Sequence, residues 1–479
     1  MILRELLKNL SVSGTYDPQT EVADIVTDSR AVKPGSLFVC IRGARFDGHS
    51  AAKKCLENGA AAVVVDHSLG LEQEIIIEDT RAAFARLCSN FFGRPQDSLK
   101  LIAVTGTNGK TTIANVIKQS LEACGKKVGL IGTIGVESGN LKLPAKFTTP
   151  EPWDMEMILR TMLNSGCEYV VMEASSQALE QRRLCDLHFT TAIFTNLSQD
   201  HLDYHKTMDA YFKAKCILFE QCDFAVINTD DPKGQELFRR VKCPKVGYAI
   251  EDPNADYRAT DLELTIGESK FKVNKKGEAT DCCVPLPGRF SVYNALACTA
   301  VLDREVNNLY TASQGVSSTI GVSGRCEILH RGNQTVISDY AHTDDALTKL
   351  LSSIKPYVGE GRLIVLFGCA GRRDKTKRVK MANAIADYAD VAVLSSDNPR
   401  DENPFDIMKE LEPIFTQRHI QYILIPDRYY AISHVLQTMK DGDVFVLCCK
   451  GHEDYQVIDD YTVYLDERRI VRDYYSQEK

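Results

Sequence analysis

The residues with the clearest chemical content are Leu101-Ile-Ala-Val-Thr-Gly-Thr-Asn-Gly-Lys-Thr-Thr112. A run of apolar residues enters a glycine-bearing turn, and helix-forming residues follow it. The N–H groups of such a turn, together with those of a helix N-terminus, form a cradle for anions. Lys110 can reach the outer phosphates of a nucleotide, and the Thr111 hydroxyl can hold Mg²⁺. The strict phosphate-loop pattern asks for glycine at 104, where this chain has Val104. The loop is therefore a shortened variant, with Gly106 and Gly109 as its turn glycines and Thr107, Asn108 and Thr112 completing it. It indicates ATP or GTP binding and does not by itself name a reaction.

Other residues invite chemistry by position. Glu173 closes an apolar run at 169–172, and His201 follows another at 192–195. Doubly wound folds place ligands at the carboxyl ends of strands, so both can lie near the phosphate loop. Glu173 and Thr111 suit Mg²⁺, which prefers oxygen. His201 reads equally as a structural histidine. Lys215, in Tyr211-Phe-Lys-Ala-Lys215, reads as a surface lysine in an ion pair, and so does Lys213. Asp397-Asn-Pro-Arg400 follows the run at 391–394, again at a strand's carboxyl end.

The elements that must position these groups alternate. Apolar runs at 101–104, 169–172, 192–195, 224–228, Leu363–Phe367, 391–394 and 444–448 read as buried strands, with amphipathic stretches between many of them. Ile113, Val116, Ile117 and Leu121 share a helical face, and Gly125 supplies a stop. Such alternation predicts parallel βαβ units. The 479 residues suggest about three domains at roughly 150 residues each. Phe92-Gly-Arg-Pro-Gln-Asp97 reads as a linker and Gly321-Val-Ser-Gly-Arg325 as a hinge. The expected units are 1–97, 98–325 and 326–479.

Composition narrows the class. Apolar residues at 44% and charged residues at 25% describe an ordinary globular chain, which excludes disordered, collagen-like and disulfide-stapled classes. A net charge of −8 argues against a general nucleic-acid binder. No apolar run is long enough to span a membrane, and residues 1–10 lack the features of a signal peptide. The 16 cysteines include no C-x-x-C pair, so they read as free thiols in a reducing cytoplasm.

Taken together, Gly106-Thr-Asn-Gly-Lys-Thr-Thr112, Thr195-Asn-Leu-Ser-Gln-Asp-His-Leu-Asp-Tyr-His205, Asp339-Tyr-Ala-His342, Asp397-Asn-Pro-Arg400 and Lys450-Gly-His-Glu453 resemble the Mur ligase family of peptidoglycan synthesis. The motifs span nearly the whole chain in the family's order. The resemblance implies a three-domain α/β fold. A smaller N-terminal α/β domain binds a UDP-sugar, a central doubly wound, mostly parallel phosphate-loop domain binds ATP, and a C-terminal Rossmann-like α/β domain binds an amino acid. It also implies ATP and Mg²⁺, a UDP-MurNAc-L-Ala-D-Glu acceptor and a monomeric cytoplasmic ligase that forms an acyl phosphate.

By the same resemblance Lys215 carries a carbamate and, with Thr111, Glu173 and His201, serves the metal. Asn294, in Pro287-Gly-Arg-Phe-Ser-Val-Tyr-Asn294, contacts adenine; Arg325 reaches the γ-phosphate and Asp339 the ribose. Ser29 and His49 lie near the UDP. Thr148, Thr149, Ser175, Gln181 and Arg183 contact the sugar-peptide.

Diaminopimelate differs from lysine by one distal carboxylate. A fixed arginine fork binds such a group better than a flexible ammonium, so Arg400 argues for diaminopimelate. Arg373 can take a carboxylate as well, and Glu453 an ammonium; Asp397, Asn398, Pro399 and Cys449 complete that end. Four positions depart from the family pattern: Asp344 stands where proline is usual, Cys449 where glycine is, Gln177 where histidine is, and Phe147 where a polar residue is. The runner-up within the family adds lysine. A folylpolyglutamate-type ligase shares the loop but leaves the N-terminal block and Asp397–Arg400 unexplained, and a nucleotide-dependent regulatory protein would have no use for Lys110, Glu173, His201 and Lys215 together.

Overall fold

A computed structural model describes residues 1–43, 46–139 and 141–477. Its strands fall into three main sheets, each mostly parallel. The first, between Ser13 and Ile76, has five strands, and only its edge strand Ser13–Thr15 runs antiparallel. The second, between Lys100 and Val284, has eleven. The third, between Glu327 and Leu447, has six, with one antiparallel edge strand, Glu327–Arg331. The α/β class expected from the alternation holds throughout.

The central sheet explains why its strands read as unbroken apolar runs. Lys100–Thr105 pairs in parallel with Tyr169–Glu173 on one side and Thr191–Phe194 on the other. Ile113, Val116 and Ile117 of the helix Lys110–Ala123 pack on one face with Ala295 and Leu296 of the helix Arg289–Val306. Met155, Leu159 and Met162 of the helix Pro152–Asn164 cover the other face. A parallel sheet covered on both faces has no polar side to display. Because Lys100–Thr105 lies between strands that follow it in sequence on both sides, a crevice opens at its carboxyl end, where such folds take ligands.

The segment read as a linker is anchored. Pro95–Ser98 forms a short 3₁₀ turn, and the Arg160 guanidinium donates to the carbonyls of Phe92 (2.9 and 2.7 Å) and Gly93 (2.8 Å). Trp153 sits 5.1 Å from the Phe91 ring and 4.9 Å from that of Phe92. Aromatic pairs of this kind contribute about 0.5–1.5 kcal/mol each beyond area burial, so the N-terminal unit is held to the helix Pro152–Asn164. All 16 cysteines are free. Among the described residues no helix is long and apolar enough to cross a membrane.

Candidate active site

Where the strand Lys100–Thr105 ends, the backbone makes a turn that ordinary side chains would spoil. Gly106 (φ +146°) and Gly109 (φ +90°) adopt left-handed conformations. A Cβ on Gly106 would collide with Thr195, and one on Gly109 with the Asn294 amide. Thr195 and Asn196 brace the turn: Thr195 Oγ1 donates to Asn108 O (2.6 Å), and Asn196 Oδ1 accepts from the Asn108 N–H (3.0 Å). Lys110 does not extend into solvent. Its Nζ folds back onto the carbonyls of Gly106 (3.0 Å) and Thr107 (2.9 Å), and burial pushes its pKa down. Thr111 and Thr112 are buried in the first turn of the helix.

Glu173 closes the neighbouring strand and is 1% exposed. Its Oε2 accepts from Thr111 Oγ1 (3.0 Å) and Thr133 Oγ1 (3.1 Å), and its Oε1 from the Thr133 N–H (2.7 Å). Thr133 carried no signal in the sequence. His201 stands at φ +52° with a half-exposed ring. Partial desolvation against the cleft wall, reinforced by Lys110, Lys215 and Lys377 against the pull of Asp200, lowers its pKa to about 4. Burial opposes the charge on Asp200, yet His201, Lys377 and His342 hold its carboxyl below the usual range. Lys377, from the C-terminal unit, pairs with Asp200.

Lys215 is not on the surface. It is 1% exposed, donates to Gly106 O at 2.9 Å and lies 4.4 Å from the Tyr211 ring centre. Burial first, and Lys110 second, push its pKa well below the ordinary value. Lys213, two residues away, is the exposed one and pairs with Asp209 at 2.8 Å. Thr111 and Glu173 offer hard oxygen donors in a buried wall beside the phosphate loop, a donor set that fits Mg²⁺.

The segment 321–325, read from the sequence as a hinge, leads into a third wall. Arg325 Nη2 donates to Thr111 Oγ1 (3.0 Å), its guanidinium stacks 4.7 Å from the Tyr340 ring centre, and its buried Nε has no partner. Asp339 is buried. Its oxygens accept from the N–H groups of Cys326 and Ala341, both at 2.7 Å, so it pins the hinge as well as facing the cleft. Asp344 opens the helix Asp344–Ile354 behind its Thr343 cap, where a negative charge is favourable. The helix therefore starts from its Thr343 cap with an aspartate where the resemblance led to proline. Asp345 accepts from Asn108 Nδ2 (2.7 Å) and Ser198 Oγ (2.9 Å), fastening the C-terminal unit to the phosphate loop.

Further along the same wall, Asn398 Nδ2 donates to Glu453 Oε2 (3.1 Å) and Tyr340 OH to Glu453 Oε1 (3.0 Å). Lys450, fully buried, reaches Glu453 Oε2 (2.8 Å), Asn398 Oδ1 (3.2 Å) and Asp397 Oδ1 (3.5 Å). Burial raises the Asp397 pKa, with Lys450 and Arg428 opposing. Arg400 has φ +53° and donates through Nη1 to Gly371 O at 2.5 Å; Arg373 is exposed on the same wall. Pro399 turns the chain behind them, its carbonyl packed on Gly371. Cys449 is buried at φ +82°, a conformation that is strained with a Cβ. The backbone there keeps the shape a glycine would allow.

Opposite lie Thr148, Thr149, Ser175 and Arg183. Thr149 Oγ1 donates to Glu173 O (2.8 Å), and Arg183 Nη1 to Thr149 O (3.0 Å). Gln181 supports Arg183, accepting from its Nη2 at 2.7 Å, without lining the cleft. The cleft measures about 910 Å³ and reaches from the phosphate loop to Arg400 and Glu453.

Ser29 and His49 stand apart from it in the N-terminal unit. Ser29 begins a 3₁₀ turn capped by Asp28. His49 is buried with both ring nitrogens engaged. Nδ1 meets Asp47 at 2.6 Å, and Nε2 accepts the Asp66 N–H at 3.2 Å. His49, Asp66 and His67 are close enough to suggest a metal group. Arg42, however, reaches both Asp66 oxygens at 2.9 Å, so the carboxylate already has its cation.

Comparison with known proteins places this geometry. Residues 104–302 match the Mur ligase middle domain, 324–451 the Mur ligase glutamate ligase domain, and 21–91 the Mur ligase family catalytic domain. The chain is 38% identical over 488 residues to a UDP-N-acetylmuramoyl-L-alanyl-D-glutamate–2,6-diaminopimelate ligase of Clostridium perfringens, covering 99% of each. It is 40% identical over 463 residues to the protein of the same name from Geobacillus thermodenitrificans, covering 94% of each. A solved structure of a ligase with that name superposes with a TM-score of 0.73 at 30% identity, over 100% of this chain and 99% of that one.

Proposed function

This chain belongs to the Mur ligase family, and from that premise we propose that it is an ATP-dependent ligase. It joins meso-diaminopimelate to the D-glutamate γ-carboxylate of UDP-MurNAc-L-Ala-D-Glu in peptidoglycan precursor synthesis. The observation that carries the reading is a single cleft. The phosphate loop opens on one end of it and Asp397–Arg400 with Glu453 on the other, and Arg325 crosses the hinge to Thr111.

The reaction has two bond exchanges. An oxygen of the D-glutamate γ-carboxylate attacks the γ-phosphorus of ATP; the bond to the β–γ bridging oxygen breaks, leaving ADP and an acyl phosphate. The amine of diaminopimelate then attacks the acyl carbon. The tetrahedral intermediate expels phosphate, and the amine loses its proton as the amide forms.

The first step needs charge stabilisation more than acid–base chemistry. Lys110 and the N–H groups of residues 107–112 hold the phosphates. Arg325, on the cleft wall, presents its guanidinium to the γ-phosphate. Each such preorganised donor is worth about 10²–10³ in rate. Thr111, Glu173 and His201 would hold Mg²⁺, which, when bound, neutralises phosphate charge. Lys215, with its pKa depressed, offers a neutral amine to CO₂; the N–C bond forms, a proton leaves, and the resulting carbamate gives the metal site an oxygen donor. Asn294 faces the adenine and Asp339 the ribose. Closure of the C-terminal unit through Asp345 and Lys377 keeps water from the acyl phosphate.

At the far end, Arg400 and Arg373 take the distal carboxylate of diaminopimelate and Glu453 its ammonium, beside Asp397, Asn398 and Cys449. Thr148, Thr149, Ser175 and Arg183 hold the sugar-peptide, with Gln181 bracing Arg183; the UDP lies toward Ser29 and His49. We place the enzyme in the cytoplasm as a monomer built of units 1–97, 98–325 and 326–479. The test is phosphate release and product mass with UDP-MurNAc-L-Ala-D-Glu, ATP and either meso-diaminopimelate or L-lysine. Extension with diaminopimelate is expected, and preferential extension with lysine would overturn the assignment of Arg400.

A further inference from the structure

The two segments that form the amino-acid end of the cleft do not touch along their strands. Asp397–Arg400 follows Val391–Leu394, and Cys449–Glu453 follows Val444–Leu447. The strand Leu363–Phe367 lies between them in the sheet. Their spacing must therefore be set beyond the strand ends.

Arg428 sits there. It begins the helix Arg428–Thr438, and its side chain is wholly buried. Nη1 donates to Ser396 O (3.2 Å) and Nη2 to Cys448 O (2.6 Å), the residues immediately before the two segments. Nε donates to Glu467 Oε1 at 2.6 Å, and Glu467, 1% exposed, begins the helix Glu467–Gln477. Gln456 adds to the same brace, donating to Ser396 O (3.2 Å) and Asp397 O (2.7 Å). Neither Arg428 nor Glu467 lines the cleft.

A buried ion pair is a poor device for stability alone, because desolvation offsets most of its attraction and apolar side chains serve as well. What apolar side chains lack is direction. The planar guanidinium fixes its donors in one fork, and here that fork spans the end of a strand to hold two carbonyls at a set distance.

We propose that Arg428, clamped by Glu467, is a positioning residue for the amino acid: it sets the spacing between the segments that carry Asn398 and Arg400 and the segment that carries Glu453. The inference rests on the reading of that end of the cleft as the amino-acid subsite. It makes the C-terminal helix, through Glu467, part of the recognition of a substrate it never meets.

The experiment is steady-state kinetics of the full chain with Arg428→Lys, Arg428→Met and Glu467→Gln, varying each substrate in turn. Wild type is assayed first with diaminopimelate and lysine, so a wrong subsite assignment shows there, and the variants are then read on whichever amino acid it uses. Misplacing one segment is expected to raise KM for the amino acid about 10- to 100-fold in both Arg428 variants. KM for ATP and for the UDP-dipeptide stays within about twofold, since their contacts lie elsewhere. Arg428→Lys, which keeps the charge and loses the fork, behaves like Arg428→Met. Glu467→Gln moves the same KM in the same direction by less, and it carries the test if an Arg428 variant fails to fold. An unchanged amino-acid KM in Glu467→Gln and Arg428→Lys, or equal changes in all three KM values, would overturn the proposal.

Discussion

Replacing Glu156 with glutamine is expected to remove a pH dependence of stability that the fold builds in. Glu156 lies on the helix Pro152–Asn164, is 3% exposed and leaves Oε2 without a partner. Burial, with Asp186 beside it and Arg94 opposing, raises its pKa from 4.5 to about 8. Asp186 cannot relieve it, being already engaged by Arg86, Arg94 and Gln96. Above pH 4.5 the unfolded chain gives up a proton that the folded chain keeps until about pH 8. The folded state binds more protons across that window, so stability falls as pH rises through it.

At about 1.36 kcal/mol per pH unit, the penalty grows from roughly 1 kcal/mol at pH 5 to roughly 4 kcal/mol at pH 8. Glutamine cannot ionise and carries no such slope. Trp153, the one tryptophan in the chain, is one turn away and packs on Phe91 and Phe92, so its fluorescence reports the contact between the N-terminal and central units. Urea titrations at pH 5, 6, 7 and 8 are expected to show Glu156→Gln gaining on wild type by about 3 kcal/mol across the series. Parallel curves for the two proteins at every pH would refute the argument, since a carboxyl ionised in both states contributes no slope.

Two further outcomes follow from the site. Lys215→Ala is expected to lower kcat by at least about 10²-fold with ATP still bound, measured by phosphate release and nucleotide binding; ordinary turnover would remove Lys215 from the machinery. Arg400→Lys, which keeps the charge and loses the fork, is expected to raise KM for diaminopimelate about tenfold or more, with KM for ATP unchanged; equal effects on both would remove Arg400 as a carboxylate clamp.

Much of the fold was legible because the strands are covered on both faces. Leu363–Phe367 and Val391–Leu394 coincide with the apolar runs that announced them. The phosphate loop was legible because its two glycines answer a local backbone demand. Long-range pairings were not. Thr133 reaches Glu173, and Tyr340 reaches Glu453, only after strands far apart in sequence come together. The Lys377–Asp200 and Asp345–Asn108 contacts exist only because two units meet. Local sequence also left contacts out. Residues 92–97 have the composition of a linker, and it took the fold to show that Arg160 and Trp153 fasten them. Lys215 and Lys213 look alike in sequence, and the helix Met208–Cys216 buries one and exposes the other.

The central claim is that the D-glutamate γ-carboxylate becomes an acyl phosphate before the amine arrives. It is tested most directly with UDP-MurNAc-L-Ala-D-Glu carrying ¹⁸O in both γ-carboxylate oxygens, turned over with ATP and diaminopimelate. The phosphate released is then analysed by mass. The account predicts one ¹⁸O in each phosphate, carried over when the acyl carbon–oxygen bond breaks. Phosphate free of label, with tripeptide formed normally, would contradict it.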